Sequence, residues 1–357
     1  HLSAVDLDAR VMDAFLAASR SRRHRRRYGG ASLLGRFLQH LQAVGATPTP
    51  TPVVDPSPRA HLERTYRQYL QAQRGLCATT IETYVGVFRR FLTERLSDAC
   101  PVSTLTASDV SAFVRHHARD RGSATAKMMV TALRASFRFL FQVGEAAVDL
   151  SAAVPTICDW RLATIPKAIA PDDVERLLRA CNLQTSTGRR DHAVLLLLAR
   201  LGLRAGEVVA LELDDIDWGA GEIVIRGKKG LRHDRFPLPV DVGQALATYL
   251  QRDRPPSASR QVFLCRRAPR RAFATRSAVT TIVRRAVGRA GLEPAVRGAH
   301  LLRHSLATRM LRHGASLREI GEVLRHRTAQ TTEIYAKVDL ERLRTVVQPW
   351  PETGGGQ

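Results

Sequence analysis

Leu324-Arg325-His326-Arg327-Thr328-Ala329-Gln330-Thr331-Thr332-Glu333-Ile334-Tyr335 carries a tyrosine nine residues after a histidine, near the end of the chain. Upstream lie His300-Leu301-Leu302-Arg303-His304 and Leu201-Gly202-Leu203-Arg204-Ala205-Gly206-Glu207. A phenol with an unperturbed pKa of about 10 is a poor nucleophile at neutral pH. Fixed cations that also grip an anionic substrate can make it a good one. A phosphodiester is the substrate that accounts for so many positive groups around one hydroxyl.

The charge of the whole chain points the same way. It has 55 Lys and Arg against 33 Asp and Glu, a net +22. Such an excess gives a field that favours nucleic acid or anionic membrane; the bland alternative is the solvated surface of an arginine-biased proteome. The membrane alternative is weak, because the longest apolar run, Ala193 to Ala199, falls far short of the ~20 residues a span needs. No basic, apolar, small-residue signal opens the chain, which begins on His1 rather than Met, as a truncated or processed chain would. Cys77, Cys100, Cys158, Cys181 and Cys265 are odd in number and form no Cys-x-x-Cys pair. That spacing argues against a disulfide framework or zinc site and fits a reducing cytoplasm.

At 357 residues with 44% hydrophobic content, the chain is expected to fold as two globular domains with a smaller appendage. Residues 1–50 read as a basic N-terminal arm region around Arg20, Arg22, Arg23, His24, Arg25, Arg26 and Arg27. The segment 51–58 continues Thr47-Pro48-Thr49-Pro50-Thr51-Pro52, a proline density that makes a linker. Residues 59–150 are helical throughout, with apolar stripes at Tyr66, Tyr69 and Leu70, and at Ile81, Tyr84, Val85, Phe88 and Leu92. Thr106-Ala107-Ser108-Asp109 is a helix-start signal. The aromatics of this module read as core rather than as base-stacking groups.

A second linker covers 151–170, and Pro171-Asp172-Asp173 opens a helix. Within 171–347 the period changes at Glu222-Ile223-Val224-Ile225-Arg226, a strand whose hairpin partner is Arg235-Phe236-Pro237-Leu238. Helices resume near 241, 276, 300, 316 and 328, and 348–357 forms a frayed tail. The fold class expected is mainly α with a small antiparallel β-sheet.

Arg204 precedes Glu207 at i+3, where a carboxylate can hold one edge of a guanidinium while the other grips phosphate. An ordinary surface pair is the alternative, worth at most ~1 kcal/mol. Lys228 and Lys229 occupy the hairpin turn, where either could donate a proton to a leaving alkoxide or simply be solvated. His300 and Arg303 share a helix face, while His304 is expected to point elsewhere. A metal reading of His300 with His304 lacks the Glu of His-Glu-x-x-His and a third ligand, so none is assigned.

The C-terminal half resembles the catalytic domain of the tyrosine recombinases, the phage integrase family. Arg204 in Leu-Gly-Leu-Arg-Ala-Gly-Glu matches the family's first arginine and Glu207 its acidic neighbour. His300-Leu-Leu-Arg303-His304 matches the His-x-x-Arg box, His326 the second His/Trp position and Tyr335 the nucleophile. The segment from Gly227 to Leu238 resembles the one bearing the catalytic lysine. Counting back from Pro237 selects Lys229; counting from Gly227 selects Lys228. Lys229 is favoured because the Pro-Leu is the steadier landmark. Residues 59–150 resemble the family's all-helical, SAM-like core-binding domain, whereas residues 1–50 match nothing that can be placed.

The resemblance implies catalytic residues Arg204, Lys229, His300, Arg303, His326 and Tyr335 and a reaction on double-stranded DNA. Tyr335 would form a 3′-phosphotyrosyl link and free a 5′-hydroxyl, and a partner strand's 5′-hydroxyl would reverse it. Bond energy stays in the ester, so no cofactor is implied. The resemblance also implies a homotetramer on two duplexes and a bacterial cytoplasmic location on the nucleoid; a mobile-element recombinase is the favoured role, and the sequence does not separate it from a chromosome-dimer resolvase. A type IB topoisomerase shares the chemistry, and a DNA-binding protein without catalysis is the other alternative. The separate helical module and basic arm favour a recombinase.

Overall fold

The structure, a computed structural model, describes residues 11, 14, 30–48, 55–96, 101–119, 121–158, 165–227, 233–266 and 270–338. The basic run from Arg20 to Arg27, most of the proline-rich stretch, Cys100, Lys228, Lys229 and the 348–357 tail lie outside the described residues. The chain divides into two units, His1–Asp159 and Trp160–Gln357. No helix among the described residues is long and apolar enough to cross a membrane.

In the first unit a helix α1 (Gly30–Ala43) precedes α2 (Pro58–Ala72), α3 (Ala78–Arg95), α4 (Ala107–Ala118) and α5 (Ser123–Gln142). Local chemistry sets their starts. Ser57 caps α2, with Pro58 in the first turn where its missing N–H costs nothing. Thr106 and Asp109 cap each other at the start of α4, as the sequence signal predicts. The apolar stripes of α2 to α5 meet in one core. Tyr66 sits edge-on to Phe88 with ring centroids 4.9 Å apart, and Phe91 is edge-on to Phe113 at 5.2 Å and to Phe137 at 5.1 Å. These edge-to-face pairs are the favoured arrangement of aromatic quadrupoles. All five rings are buried, so they are core and not a platform for bases.

The second unit is organised around α7 (Ser186–Arg200), whose residues Ala193 to Ala199 are each no more than 4% exposed. Helices α6 (Pro171–Arg179), α9 (Val240–Arg252), α10 (Arg276–Arg289) and α11 (His300–Arg312) pack around it. Between α7 and α9 come the short α8 (Ala205–Ala210) and three antiparallel strands, β1 (Ile216–Asp217), β2 (Glu222–Arg226) and β3 (His233–Pro237), ordered β1-β2-β3. The β2–β3 register runs from Glu222 opposite Pro237 to Arg226 opposite His233. The hairpin agrees with the sequence reading, and β1 is an addition to it. Ile223 and Ile225 point into the core, which fixes that register, since a one-residue slip would turn them outward.

After α11 a Ser316–Glu319 capping box starts α12 (Leu317–Val323). The sequence predicts that a helix resumes near 328 in the segment that follows. That segment forms two 3₁₀ turns instead, Ala329–Thr331 and Glu333–Val338. Leu306, Ala307, Leu311, Ile320, Leu324 and Tyr335 make a separate small core that holds this end of the unit.

Candidate active site

Helix α7 stops at Leu201-Gly202-Leu203, and Gly202 takes the left-handed backbone, φ 59°, that ends a helix without strain. A Cβ here would lie 2.7 Å from Leu324 Cδ2 and 3.0 Å from Leu306 Cδ2. The tight approach brings the Gly202 carbonyl against Arg303, whose Nη1 donates to it while Nη2 donates to the Leu324 carbonyl. Gly202→Ala is therefore expected to destabilise the chain by about 2–4 kcal/mol, from backbone strain plus overpacking. Urea unfolding reads this out, and an unchanged midpoint would contradict the packing described.

Arg204 is the residue just before α8, with an extended backbone (φ −77°, ψ 150°). Glu207 does not merely share a helix face with it. One Glu207 oxygen accepts from Arg204 Nη1 at 2.8 Å, and the other accepts from the Arg204 backbone N–H at 2.8 Å. Arg204 Nη2 donates to the Arg325 carbonyl at 3.1 Å. Arg325 Nη2 reaches the same carboxylate at 2.9 Å. Burial pushes the Glu207 carboxyl up, but Arg325 and Arg204 outweigh it and hold its pKa below the usual value.

Helix α11 presents three groups. Arg303 is 3% exposed, and burial followed by repulsion from Arg204 and Arg325 pushes its pKa down. Its guanidinium stays charged because even a depressed arginine is protonated at neutral pH. Burial, with Arg303, Arg204 and Arg276 nearby, holds His300 below its ordinary pKa. His304 does not point elsewhere: its Nδ1 lies 2.8 Å from the Tyr335 hydroxyl. Burial, then His300 and Arg303, push His304 down to about 4, so its ring is neutral beside the phenol.

The 3₁₀ turns deliver the remaining groups. His326 Nδ1 is 2.7 Å from Thr332 Oγ1, and its ring lies parallel to Tyr335 with centroids 6.5 Å apart. Burial, Arg303 and Arg204 push His326 down to about 4. Tyr335 is 1% exposed, and burial drives its phenol up to about 12 against the pull of Arg303 and Arg204. The structure thus brings together Arg204, His300, Arg303, His326 and Tyr335 from segments far apart in the chain. Lys229 and Lys228 lie outside the described residues.

Sequence reasoning missed His304 and Arg325. The spacing of His300, Arg303 and His304 held the signal for the first, since i, i+3 and i+4 share a helix face. Nothing in the sequence marks Arg325.

The depressed histidines set a pH dependence. An unfolded histidine titrates near 6.5, whereas His304 and His326 titrate near 4 in the fold. The unfolded chain therefore binds more protons between those values, and stability rises with pH across that window. Thermal unfolding should occur at a steady temperature above pH ~7 and at falling temperature as pH drops from about 6.5 toward 4. A flat profile down to pH ~4.5 would contradict neutral burial of these rings.

Residues 167–342 match the family described as Phage integrase family, and residues 64–144 match Phage integrase, N-terminal SAM-like domain. The Sinorhizobium fredii protein "Putative integrase/recombinase y4rA" is 49% identical over 302 residues, covering 84% of this chain and 73% of that protein. Tyrosine recombinase XerD of Mycobacterium tuberculosis is 35% identical over 300 residues, covering 79% of this chain and 94% of that one. Among solved structures, the XerH site-specific recombinase bound to palindromic difH substrate, a post-cleavage complex, superposes with a TM-score of 0.61. It is 19% identical and matches 87% of this chain and 93% of that one, a likeness of fold.

Proposed function

Because the chain belongs to the phage integrase family of tyrosine recombinases, we propose that it is a site-specific DNA recombinase in which Tyr335 cleaves and rejoins strands through a 3′-phosphotyrosyl intermediate. The observation that carries this reading is the gathering of Arg204, His300, Arg303 and His326 around one buried phenol.

Tyr335 Oη attacks the scissile phosphorus, the bond to the 5′-oxygen breaks, and the 3′-phosphate remains on the tyrosine. Negative charge gathers on the nonbridging oxygens, and the free N–H edges of Arg204 and Arg303 stabilise it there. Neutral His300 and His326 donate further hydrogen bonds. Such preorganised donors act where water is excluded, which makes them worth far more than in bulk solvent. With the phenol at about 12 and His304 at about 4, ionisation before attack is strongly disfavoured. The phenol proton passes to His304 as the O–P bond forms. Lys229, with Lys228 as the alternative, protonates the leaving 5′-oxygen. Attack by another strand's 5′-hydroxyl runs the same steps in reverse and conserves the bond energy.

The substrate is double-stranded DNA, held mainly through phosphate contacts with strong salt dependence. Four copies act on two duplexes, at cytoplasmic DNA and on behalf of a mobile element. The basic run from Arg20 to Arg27 adds phosphate contacts of its own. The test is a plasmid with two direct copies of the DNA that flanks the gene. Excision of the intervening segment is the expected result. Relaxation of supercoils without excision would instead indicate a topoisomerase, and an unchanged plasmid would indicate binding without catalysis.

A further inference from the structure

Arg325 is the one non-glycine residue among those described that has a left-handed backbone, at φ 53°. An L-residue is sterically disfavoured there, because its Cβ crowds the following carbonyl oxygen. Strain of this kind persists only where the surroundings hold it, and it clusters at functional sites. The turn it makes has a visible use. Leu324 is still right-handed, at φ −80° and ψ −1°. The reversal at Arg325 therefore aims two successive carbonyls at two different arginines. Leu324 O accepts from Arg303, and Arg325 O accepts from Arg204.

The Arg325 side chain turns back into the same cluster and is 7% exposed. Its Nη2 donates to Glu207 Oε2 at 2.9 Å, and its Nη1 donates to the Val323 carbonyl at 3.1 Å. The guanidinium lies 4.9 Å from the ring centre of Phe236 on β3. Glu207 is thus shared, with Oε1 on Arg204 and Oε2 on Arg325 and the Arg204 backbone.

Sharing changes what Glu207 can do. The Arg204 side chain is 37% exposed, and a lone ion pair of that kind at i+3 is too weak to hold a guanidinium in one plane. A second, buried guanidinium on the same carboxylate removes that freedom. The cation–π contact with Phe236 anchors it on the sheet side.

We propose that Arg325 is a positioning residue for strand cleavage: through Glu207 it fixes the plane of Arg204, and through Phe236 it ties that plane to strand β3. The proposal rests on the reading of Arg204 as a phosphate clamp. Misplacement of a gripping group by ~1 Å costs on the order of 10²-fold in rate.

The experiment uses the full chain and a nicked suicide duplex made from the DNA flanking the gene. Three quantities are followed: the rate of covalent adduct formation, DNA affinity at fixed salt, and the unfolding temperature. Arg325→Gly removes the side chain and also relieves the backbone, so the chain should fold and bind DNA within about 3-fold of wild type while adduct formation falls roughly 30–100-fold. Arg325→Lys keeps the charge without the planar fork; it should unfold at the wild-type temperature and lose about 10-fold. In a Glu207→Gln background, Arg325→Gly should cost under about 3-fold, because the path through Glu207 is already cut. Near-normal rates in both single variants, or a full loss that persists in the Glu207→Gln background, would overturn the proposal. Absence of adduct from the wild-type chain would overturn the recombinase reading beneath it instead.

Discussion

Tyr335→Phe is expected to bind its DNA site with near-normal affinity and to form no covalent adduct on a suicide duplex. The substitution removes one oxygen from a side chain that is 1% exposed and packed against Leu306, Ile320 and Leu324, so shape is kept. The lost contact is the hydrogen bond to His304 Nδ1 at 2.8 Å, worth about 1 kcal/mol net. Fold and phosphate contacts should therefore survive, and only the nucleophile is missing. No neighbouring group replaces it chemically, because the arginines, His300 and His326 serve as donors and His304 as the acceptor of the phenol proton. A gel shift with denaturing adduct detection on the same duplex separates the two outcomes. Adduct at normal yield from this variant would remove Tyr335 from the nucleophile role.

The second large effect is expected at Arg204. Arg204→Ala should lower the rate of adduct formation by about 10²–10³-fold, the range for deleting one preorganised donor to a developing anion. DNA affinity should fall much less, since one phosphate contact among many is lost. Glu207 would keep Arg325 as its partner, so the carboxylate is not left unpaired in a buried site. Arg204→Lys should recover little, because a lysine cannot grip Glu207 and a phosphate with two edges of one plane. A cleavage rate within a few-fold of wild type for Arg204→Ala would sink the phosphate-clamp role.

The sequence was most legible where one local rule decides the outcome. The Thr106–Asp109 box and the proline and acids at 171–173 mark helix starts that the structure contains. The change of period at Glu222 marks the hairpin, whose strands pair as expected. Its neighbour β1 was not legible, because a strand of two residues, Ile216–Asp217, has no period to read. The Tyr335 segment was read as a helix, yet it is 3₁₀, because its polar stretch has no apolar stripe of its own and the small core around Tyr335 sets its path.

At the site, the motif residues and the Arg204–Glu207 pair are legible in the sequence, but the other hydrogen-bond partners are not. His304, expected to point elsewhere, lies on the same helix face as His300 and touches the phenol. Arg325 could not be found at all, since its backbone conformation runs against the preference of its residue type. What makes it matter is a carboxylate 118 positions away in the chain.

The central claim is that Tyr335 becomes an ester of DNA. Its most direct measurement is to trap the wild-type chain on the nicked suicide duplex, digest protein and DNA, and locate the nucleotide by mass spectrometry. The expected product is a nucleotide joined through its 3′-phosphate to the peptide containing Tyr335, with a free 5′-hydroxyl on the released strand. A nucleotide on any other residue, or a 5′-phosphate linkage, would contradict it.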